Sequence, residues 1–357
     1  MSTNGHGAAN KLRIGILGAS GYTGAELLRL LGCHPAVEFA FLTADRHAGE
    51  PMAKVFPQLA PMNLPDLIRI EDADWNGVDV VFCGLPHGTT QDVIADLFEA
   101  APGKKVIDLS ADFRLYDLDV YAEYYGHAHK QPDLQKEAVY GLTEHYRDAV
   151  RDARLCANPG CYTTTAELPL MPLVEGGLIE TGDIVIDAKS GVSGAGRSER
   201  LGNLHTEVSE GVHAYGVGWH RHTPEIEQEL TRAAGSKVMV NFTPHLMPMN
   251  RGILASCYVR MADGVVADDL RAHLAKRYAD EPFVHVVPEG VSPATRDVRG
   301  SNHCMIGVFA DRLPGRAIIL SVTDNLVKGA SGQAVQNMNV MCDLPETMGL
   351  EQVGMFP

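Results

Sequence analysis

The chain has 357 residues, with 30 basic and 45 acidic side chains, a formal charge of −15, 45% hydrophobic residues and 21% charged ones. That composition can bury a sizeable core, which excludes a disordered chain, and the acidic excess excludes a general grip on nucleic acid, which needs a basic field. Length alone predicts two domains or one large one.

The polar opening MSTNGHGAAN has no apolar signal core, and residues 1–10 read as a disordered lead-in. Apolar runs such as 78–82 and 184–186 fall far short of the roughly 18 residues of a membrane helix. Lys11–Leu17 reads as a buried strand, Gly18–Gly24 as a glycine-rich turn, Ala25–Leu31 as a helix and Val37–Thr43 as a second strand. Further strands are expected at Asp79–Cys83 and Lys105–Leu109, with a helix over Thr89–Ala101 between them. Strands alternating with helices predict a doubly wound parallel sheet, with chemistry at the strands' C-terminal ends. Beyond about residue 160 the pattern changes. Strands are expected at Asp183–Ala188, Lys237–Pro244, Ile253–Met261, Val284–Val287, Cys304–Ala310 and Ala317–Thr323. Helices are expected at Thr164–Leu173, Pro224–Ala233, Val266–Tyr278 and Asn325–Met341. The second half thus reads as an α+β unit on a mixed or antiparallel sheet, whose other face packs in an oligomer.

In Gly18-Ala-Ser20-Gly21-Tyr22-Thr23-Gly24, glycines follow a strand and open a helix. Such a turn lets the backbone approach a pyrophosphate and offers it the N–H groups of the helix start; the plain alternative is a tight turn. The next strand ends in Thr43-Ala-Asp45-Arg46. An acidic residue there suits the ribose hydroxyls of NAD and an arginine the 2′-phosphate of NADP, so Thr43 with Arg46 favours NADP.

The seven cysteines, at 33, 83, 156, 161, 257, 304 and 342, are odd in number and form no CxxC pair. They argue against a disulfide scaffold or zinc ribbon and for a reduced, cytoplasmic compartment. Cys161 differs from the rest because it follows Asn158-Pro-Gly at an expected helix start, where a thiol pKa is lowered and backbone N–H groups can hold an oxyanion. His220-Arg221-His222-Thr-Pro-Glu225 supplies acid–base candidates, and spacing alone does not choose between the two histidines. No third ligand at a typical spacing accompanies this HxH, so no metal site is expected. Ser190–Arg197 (SGVSGAGR) is a second anion-friendly loop, and Asp108-Leu-Ser110-Ala-Asp112-Phe-Arg114 offers hydroxyl and guanidinium donors or a structural ion pair.

Taken together, GASGYTG, GLPHG (Gly84–Gly88), DLSADFR, ANPGCYTT, SGVSGAGR, HRHTPEI, TPHLMPMNRGI and DNLVKGASGQAVQN, in that order over residues 11 to about 350, resemble the N-acetyl-gamma-glutamyl-phosphate reductases of the longer type. The resemblance implies NADPH-dependent reduction of N-acetyl-L-glutamyl 5-phosphate to the 5-semialdehyde in arginine biosynthesis, through a cysteine thioester. It implies Cys161 as nucleophile and His222 as the acid–base group. Gly18, Ser20, Gly21, Tyr22, Thr23, Gly24, Thr43, Arg46, Pro86, Ser193, Gly194 and Asn325 would then meet the cofactor. Ser110, Arg114, Asn158, Arg197 and Glu225 would meet the substrate, with Arg221 a weaker choice. The implied fold is a Rossmann-like domain over residues 11–159 plus 324–357 and a catalytic and oligomerisation domain over 160–323. A homodimer or homotetramer is expected, with no nucleic-acid or membrane partner. The rivals are a reductase of aspartyl phosphate or of a carrier-linked aminoadipyl or glutamyl phosphate, and a catalytically dead nucleotide-binding scaffold.

Overall fold

The computed structural model describes residues 11–357, so the expected lead-in lies outside the described residues. The chain opens with β1 (Leu12–Leu17), α1 (Tyr22–Leu31) and β2 (Val37–Thr43), a βαβ unit in which Leu27, Leu28, Leu30 and Leu31 of α1 are buried against the sheet. There follow β3 (Leu67–Ile68), β4 (Val80–Cys83), α2 (Thr90–Ala100), β5 (Lys105–Asp108), β6 (Val139–Tyr140), α3 (Thr143–Asp152) and β7 (Leu155–Ala157). All these strands pair in parallel, in the order β3-β2-β1-β4-β5-β7-β6. Helices cover both faces, which is why β4 is buried at every residue and reads as an unbroken apolar run. Strand order reverses between β1 and β4, and the crevice beyond their C-terminal ends is where such sheets take ligands.

A long helix, α4 (Cys161–Glu175), leads into the second sheet. It is buried from Tyr162 to Val174 and contains Pro169 and Pro172. A proline in mid-helix withholds the N–H owed to the carbonyl four residues back. For Pro172 that carbonyl belongs to Leu168, and the Tyr278 hydroxyl donates to it instead. The main elements that follow are β8 (Ile184–Gly191), β9 (His213–Ala214), α5 (Thr223–Ala234), β10 (Val240–Met247), β11 (Ile253–Arg260), α6 (Ala267–Arg277), β12 (Val284–Val286), β13 (Cys304–Ala310), β14 (Arg316–Thr323) and α7 (Gly332–Met341). The second sheet is mixed, ordered β12-β13-β14-β11-β8-β10-β9. One face packs on α4, α5 and α6. The other carries half-buried Val185, Leu254, Tyr258, Phe309, Ile318 and Leu320 in adjacent registers. From α7, Ala334, Val335, Met338 and Met341 share a core with Ile14, Leu28 and Phe82 of the first sheet.

Besides several short strands, three features differ from the sequence expectation. The helix after Gly160 begins at Cys161 rather than Thr164, since Thr163 and Thr165 satisfy their hydroxyls on local carbonyls and cost the helix little. The expected helix over Asn325–Met341 is interrupted by a π turn at Val327–Ser331 before α7 begins. Helix α3 was not expected because only Thr143, Glu144 and Val150 are buried on it, so its inward face is largely polar and leaves no apolar period.

Candidate functional site

The glycine turn sits at the reversal point of the first sheet. Gly18 has φ +74°, and a Cβ there would lie 2.6 Å from the Gly84 carbonyl oxygen, so the turns after β1 and β4 meet as only glycine permits. A Cβ on Gly24 would lie 2.5 Å from the Ala19 carbonyl, which explains the glycine that seats α1 on the turn. Gly21 caps α1 without a side-chain partner, leaving the helix's first N–H groups and its positive end for an anion. A cleft of about 270 Å³ alongside is lined by Tyr22, Ser193, Gly196, Asn203, Arg251 and Leu326, among others. Arg46 stands exposed just beyond β2 and forms no ion pair among the described residues. A glycine cradle, an uncapped helix start and an unpaired guanidinium fit a phosphorylated dinucleotide.

Not every residue expected at the cofactor faces it. Thr43 is buried, and its hydroxyl accepts from the Gly18 N–H at 3.3 Å, so it braces the turn from behind. Asn325 is also buried; its amide oxygen accepts from the Gly252 N–H at 2.7 Å and its amide nitrogen donates to Ser193 Oγ at 2.9 Å, which ties down the Ser193–Gly194 loop. Pro86 is exposed in the loop beyond β4, where its carbonyl accepts from the Thr89 hydroxyl at 2.6 Å. Ser20 and Thr23 turn their carbonyls toward other segments, receiving Arg197 Nη1 at 3.1 Å and Ser331 Oγ at 3.0 Å.

Cys161 opens α4 directly beyond β7, half-buried between two tight contacts. A Cβ on Gly160 would lie 2.7 Å from His222 Nε2 and 3.0 Å from Arg114 Nη1, so the imidazole and guanidinium close on the backbone at the nucleophile. A Cβ on Gly329 would lie 2.8 Å from Cys161 Cβ. His220 and His222 face each other at 4.9 Å between ring centroids, and the His222 N–H donates to His220 Nδ1 at 3.1 Å. His220 is thereby held on the backbone, and the ring against Gly160 is that of His222. Burial pushes the His222 imidazole well below its ordinary value, with His220 and Arg114 adding to the effect, so the ring is neutral at physiological pH. Its Nδ1 and the Arg114 Nε are buried with no hydrogen-bond partner among the described residues.

The thiol departs from expectation. Withdrawal from water pushes Cys161 up to about 11, although Arg114 and the N–H groups of Tyr162 and Cys161 pull it down. The helix start acts in the expected direction but loses to desolvation. At rest the pair is a neutral thiol beside a neutral imidazole.

Among the expected substrate residues, the structure brings only Arg114 to Cys161. It is buried, donates to the Leu109 carbonyl at 2.9 Å and reaches Glu225 Oε2 at 3.4 Å. Glu225 does not face the cleft, because its Oε1 accepts from the Gly160 N–H at 2.8 Å, Thr163 Oγ1 at 2.9 Å and the Tyr140 hydroxyl at 2.8 Å. It holds the loop that presents the nucleophile. Ser110 is enclosed in a network with Asp108 and Thr90, its hydroxyl donating to Asp108 at 2.7 Å. Asn158 donates to the Ala330 carbonyl and accepts from Asn337, both at 3.1 Å. Arg197 lies over the Phe56 ring at 4.5 Å beside the nucleotide turn, away from the expected substrate position. Arg221 lies over the Tyr125 ring at 5.5 Å, with His87 packed edge-on against the same ring.

Sequence reasoning missed Tyr140 and Glu167. The Tyr140 hydroxyl lies 3.0 Å from Glu167 Oε2 and 2.8 Å from Glu225 Oε1, and burial with two neighbouring glutamates pushes Glu167 well above the ordinary carboxyl range. Glu167 is therefore a neutral acid. A tyrosine outside every motif gave no signal. Among the described residues, no group of three or more His, Cys, Asp or Glu side chains is placed to hold a metal ion. Nor is any helix there long and apolar enough to cross a membrane.

Fold and site together define a nucleotide-binding protein with a cysteine presented at a helix start between its two sheets. Two family models match it: "Semialdehyde dehydrogenase, NAD binding domain" over residues 13–153 and "Semialdehyde dehydrogenase, dimerisation domain" over 161–325. The N-acetyl-gamma-glutamyl-phosphate reductase of Rhodospirillum rubrum is 61% identical over 351 residues, covering 98% of this chain and 100% of that one. A probable chloroplastic N-acetyl-gamma-glutamyl-phosphate reductase of Arabidopsis thaliana is 58% identical, covering 97% and 86%. Among solved structures, aspartate semialdehyde dehydrogenase II of Vibrio cholerae superposes with a TM-score of 0.72 at 19% identity, covering 94% and 99%. The Candida albicans aspartate semialdehyde dehydrogenase with NADP gives 0.68 at 19% identity, covering 93% and 99%. These two likenesses speak for the fold. The chain belongs to the N-acetyl-gamma-glutamyl-phosphate reductases of the semialdehyde dehydrogenase family.

Proposed function

We propose that the chain is an NADPH-dependent enzyme that reduces N-acetyl-L-glutamyl 5-phosphate to N-acetyl-L-glutamate 5-semialdehyde and phosphate, a step of arginine biosynthesis. One observation carries this reading to the level of residues. Cys161 stands at a helix start with His222 and Arg114 against Gly160 on one side and Gly329 on the other. The Arg114 Nε meets no acceptor among the described residues and suits a doubly charged acyl phosphate.

In this mechanism the Cys161 sulfur attacks the acyl carbon while His222 Nε2 takes the thiol proton. The bond from that carbon to the phosphate oxygen breaks, and Arg114 meets the charge on the departing phosphate, which takes up a proton from solvent. The N–H groups at the start of α4 hold the oxygen of the tetrahedral centre. A nicotinamide nucleotide held by the Gly18–Gly24 cradle would supply the hydride that reduces the resulting thioester. As the carbon–sulfur bond breaks, His222 Nε2 returns its proton to the sulfur. Two modest barriers replace one poor displacement.

Arg46 reads the 2′-phosphate in this mechanism. Two charge-assisted hydrogen bonds from a guanidinium contribute about 1.5–3 kcal/mol, or about 10- to 150-fold in affinity. Arg46→Ala should raise the KM for NADPH by that factor and leave NADH use nearly unchanged, because NADH lacks the phosphate. Measuring kcat/KM with both cofactors checks it, and an equal loss with both would move the phosphate to another residue.

The domain division follows the two sheets: residues 11–159 with 324–357 bind the nucleotide, and 160–323 carry Cys161 and the oligomer contact. The half-buried face of the second sheet, with Tyr258, Ile318 and Leu320, fits a second copy of this chain. A homodimer or homotetramer in the cytoplasm is the reading. Sedimentation equilibrium should give a mass of at least two chains, and a monomer at micromolar concentration would contradict it.

A further inference from the structure

We propose that the buried ion pair Lys328–Glu144 is a positioning device for Cys161: it holds the π turn Val327–Ser331 in the one register that seats Gly329 on the nucleophile. The proposal rests on the reading of Cys161 as the reacting group.

Both partners are fully buried. Lys328 Nζ donates to Glu144 Oε1 at 2.5 Å and to Gln336 Oε1 at 2.8 Å, and it lies 5.8 Å from the centre of the Phe283 ring. Gln336 in turn donates to the same Glu144 oxygen at 2.9 Å and accepts from Asn302 at 2.9 Å. A dry ion pair is a poor source of net stability, because desolvation of both charges offsets their attraction; its best-attested use is to select one register over another. Here there is a register to select.

The turn is π-helical because the Gly329 N–H bonds to the Asp324 carbonyl and the Ser331 N–H to the Leu326 carbonyl, each five residues back and 2.9 Å long. Here the π turn opens α7, taking about one residue more per turn than an α-helix would, and such turns occur often at functional sites. The extra residue sets what each residue of the turn touches. Gly329 meets Cys161, the Ala330 carbonyl accepts from Asn158 at 3.1 Å, and Ser331 Oγ donates to the Thr23 carbonyl of α1 at 3.0 Å. One short segment therefore contacts the nucleophile, the end of β7 and the nucleotide helix at once. Relaxation to an ordinary α-helix would remove the extra residue and rotate the turn by about 100°. A residue with a side chain would then face Cys161, where even a Cβ on residue 329 would come within 2.8 Å of its Cβ. Lys328 and Glu144 touch none of the reacting groups and act only through that turn.

The test is the double variant Lys328→Met/Glu144→Leu, which removes both charges and leaves no unpaired buried ion. Three quantities are read: the thermal midpoint, kcat and KM for both substrates, and the rate of iodoacetamide labelling of the Cys161 peptide by mass spectrometry without substrate. The proposal expects a cooperative fold, a kcat lowered about tenfold or more, little change in the KM for NADPH, and an altered labelling rate at Cys161. Wild-type kcat together with wild-type labelling would overturn it, as would a lowered midpoint with both unchanged. Should the double variant fail to fold, Glu144→Gln is measured in the same three ways, and the same outcomes support or overturn the proposal. Labelling is read without turnover, so loss of this inference stays distinct from loss of the Cys161 assignment, which a fully active Cys161→Ser would signal.

Discussion

Cys161→Ser should abolish turnover, with a kcat loss well beyond a hundredfold, while NADPH binding stays close to wild type. The thiol is already pushed up to about 11 by its surroundings, and a serine hydroxyl in the same place is a far weaker acid still. Even with His222 taking its proton, the serine oxygen would hold the acyl group as an ester, a poorer hydride acceptor than a thioester, so the variant has no route of comparable rate. The glycine cradle at Gly18–Gly24 lies in the other sheet's turn and does not use the thiol, so fluorescence titration with NADPH should be nearly unchanged. Retention of more than about a hundredth of the activity would remove Cys161 from the reaction, given the size of such losses when covalent catalysis is deleted.

His222→Asn should lower kcat by about 10²- to 10³-fold and change KM little. The sign follows from the thiol's burial. Because the charged form is disfavoured, the thiolate fraction rises with pH throughout the range below about 11. At pH 8 only about one thiol in a thousand is ionised without help, by the usual tenfold-per-unit relation. A base that takes the proton during attack recovers most of that factor, and general bases typically contribute 10²–10⁴. The variant's rate should therefore climb with pH toward 11, whereas the wild-type rate should flatten earlier. His220→Asn should be milder, since His220 Nδ1 holds the His222 backbone N–H. The reverse order of losses would make His220 the acid–base group.

Strands β1, β2, β4 and β5 of the first sheet were legible because their signals are local, whereas β3, β6 and β7, of two or three residues each, were not. A strand, a glycine turn and an amphipathic helix lie within Leu12–Leu31, and burial of both sheet faces makes β4 an unbroken apolar run. The place of Cys161 at a helix start was legible for a similar reason: Pro-Gly stops β7 and a helix starts at once. A motif tells which loop nears the site, not which way each side chain in it points. Ser110 and Asn158 lie on loops beside the site and Glu225 in the first turn of α5, yet each turns inward to a partner. Asn337 is 179 positions from Asn158 and Tyr140 is 85 from Glu225, separations no spacing rule reaches. The thiol was misjudged because a helix start is visible in sequence and the depth of burial around it is not.

The central claim is that Cys161 carries the acyl group. Purified protein mixed with N-acetyl-L-glutamyl 5-phosphate in the absence of NADPH, quenched in acid and digested, should yield the Cys161 peptide with an N-acetylglutamyl thioester that hydroxylamine removes. An unmodified Cys161 peptide, or an acyl group on any other residue, would contradict that claim.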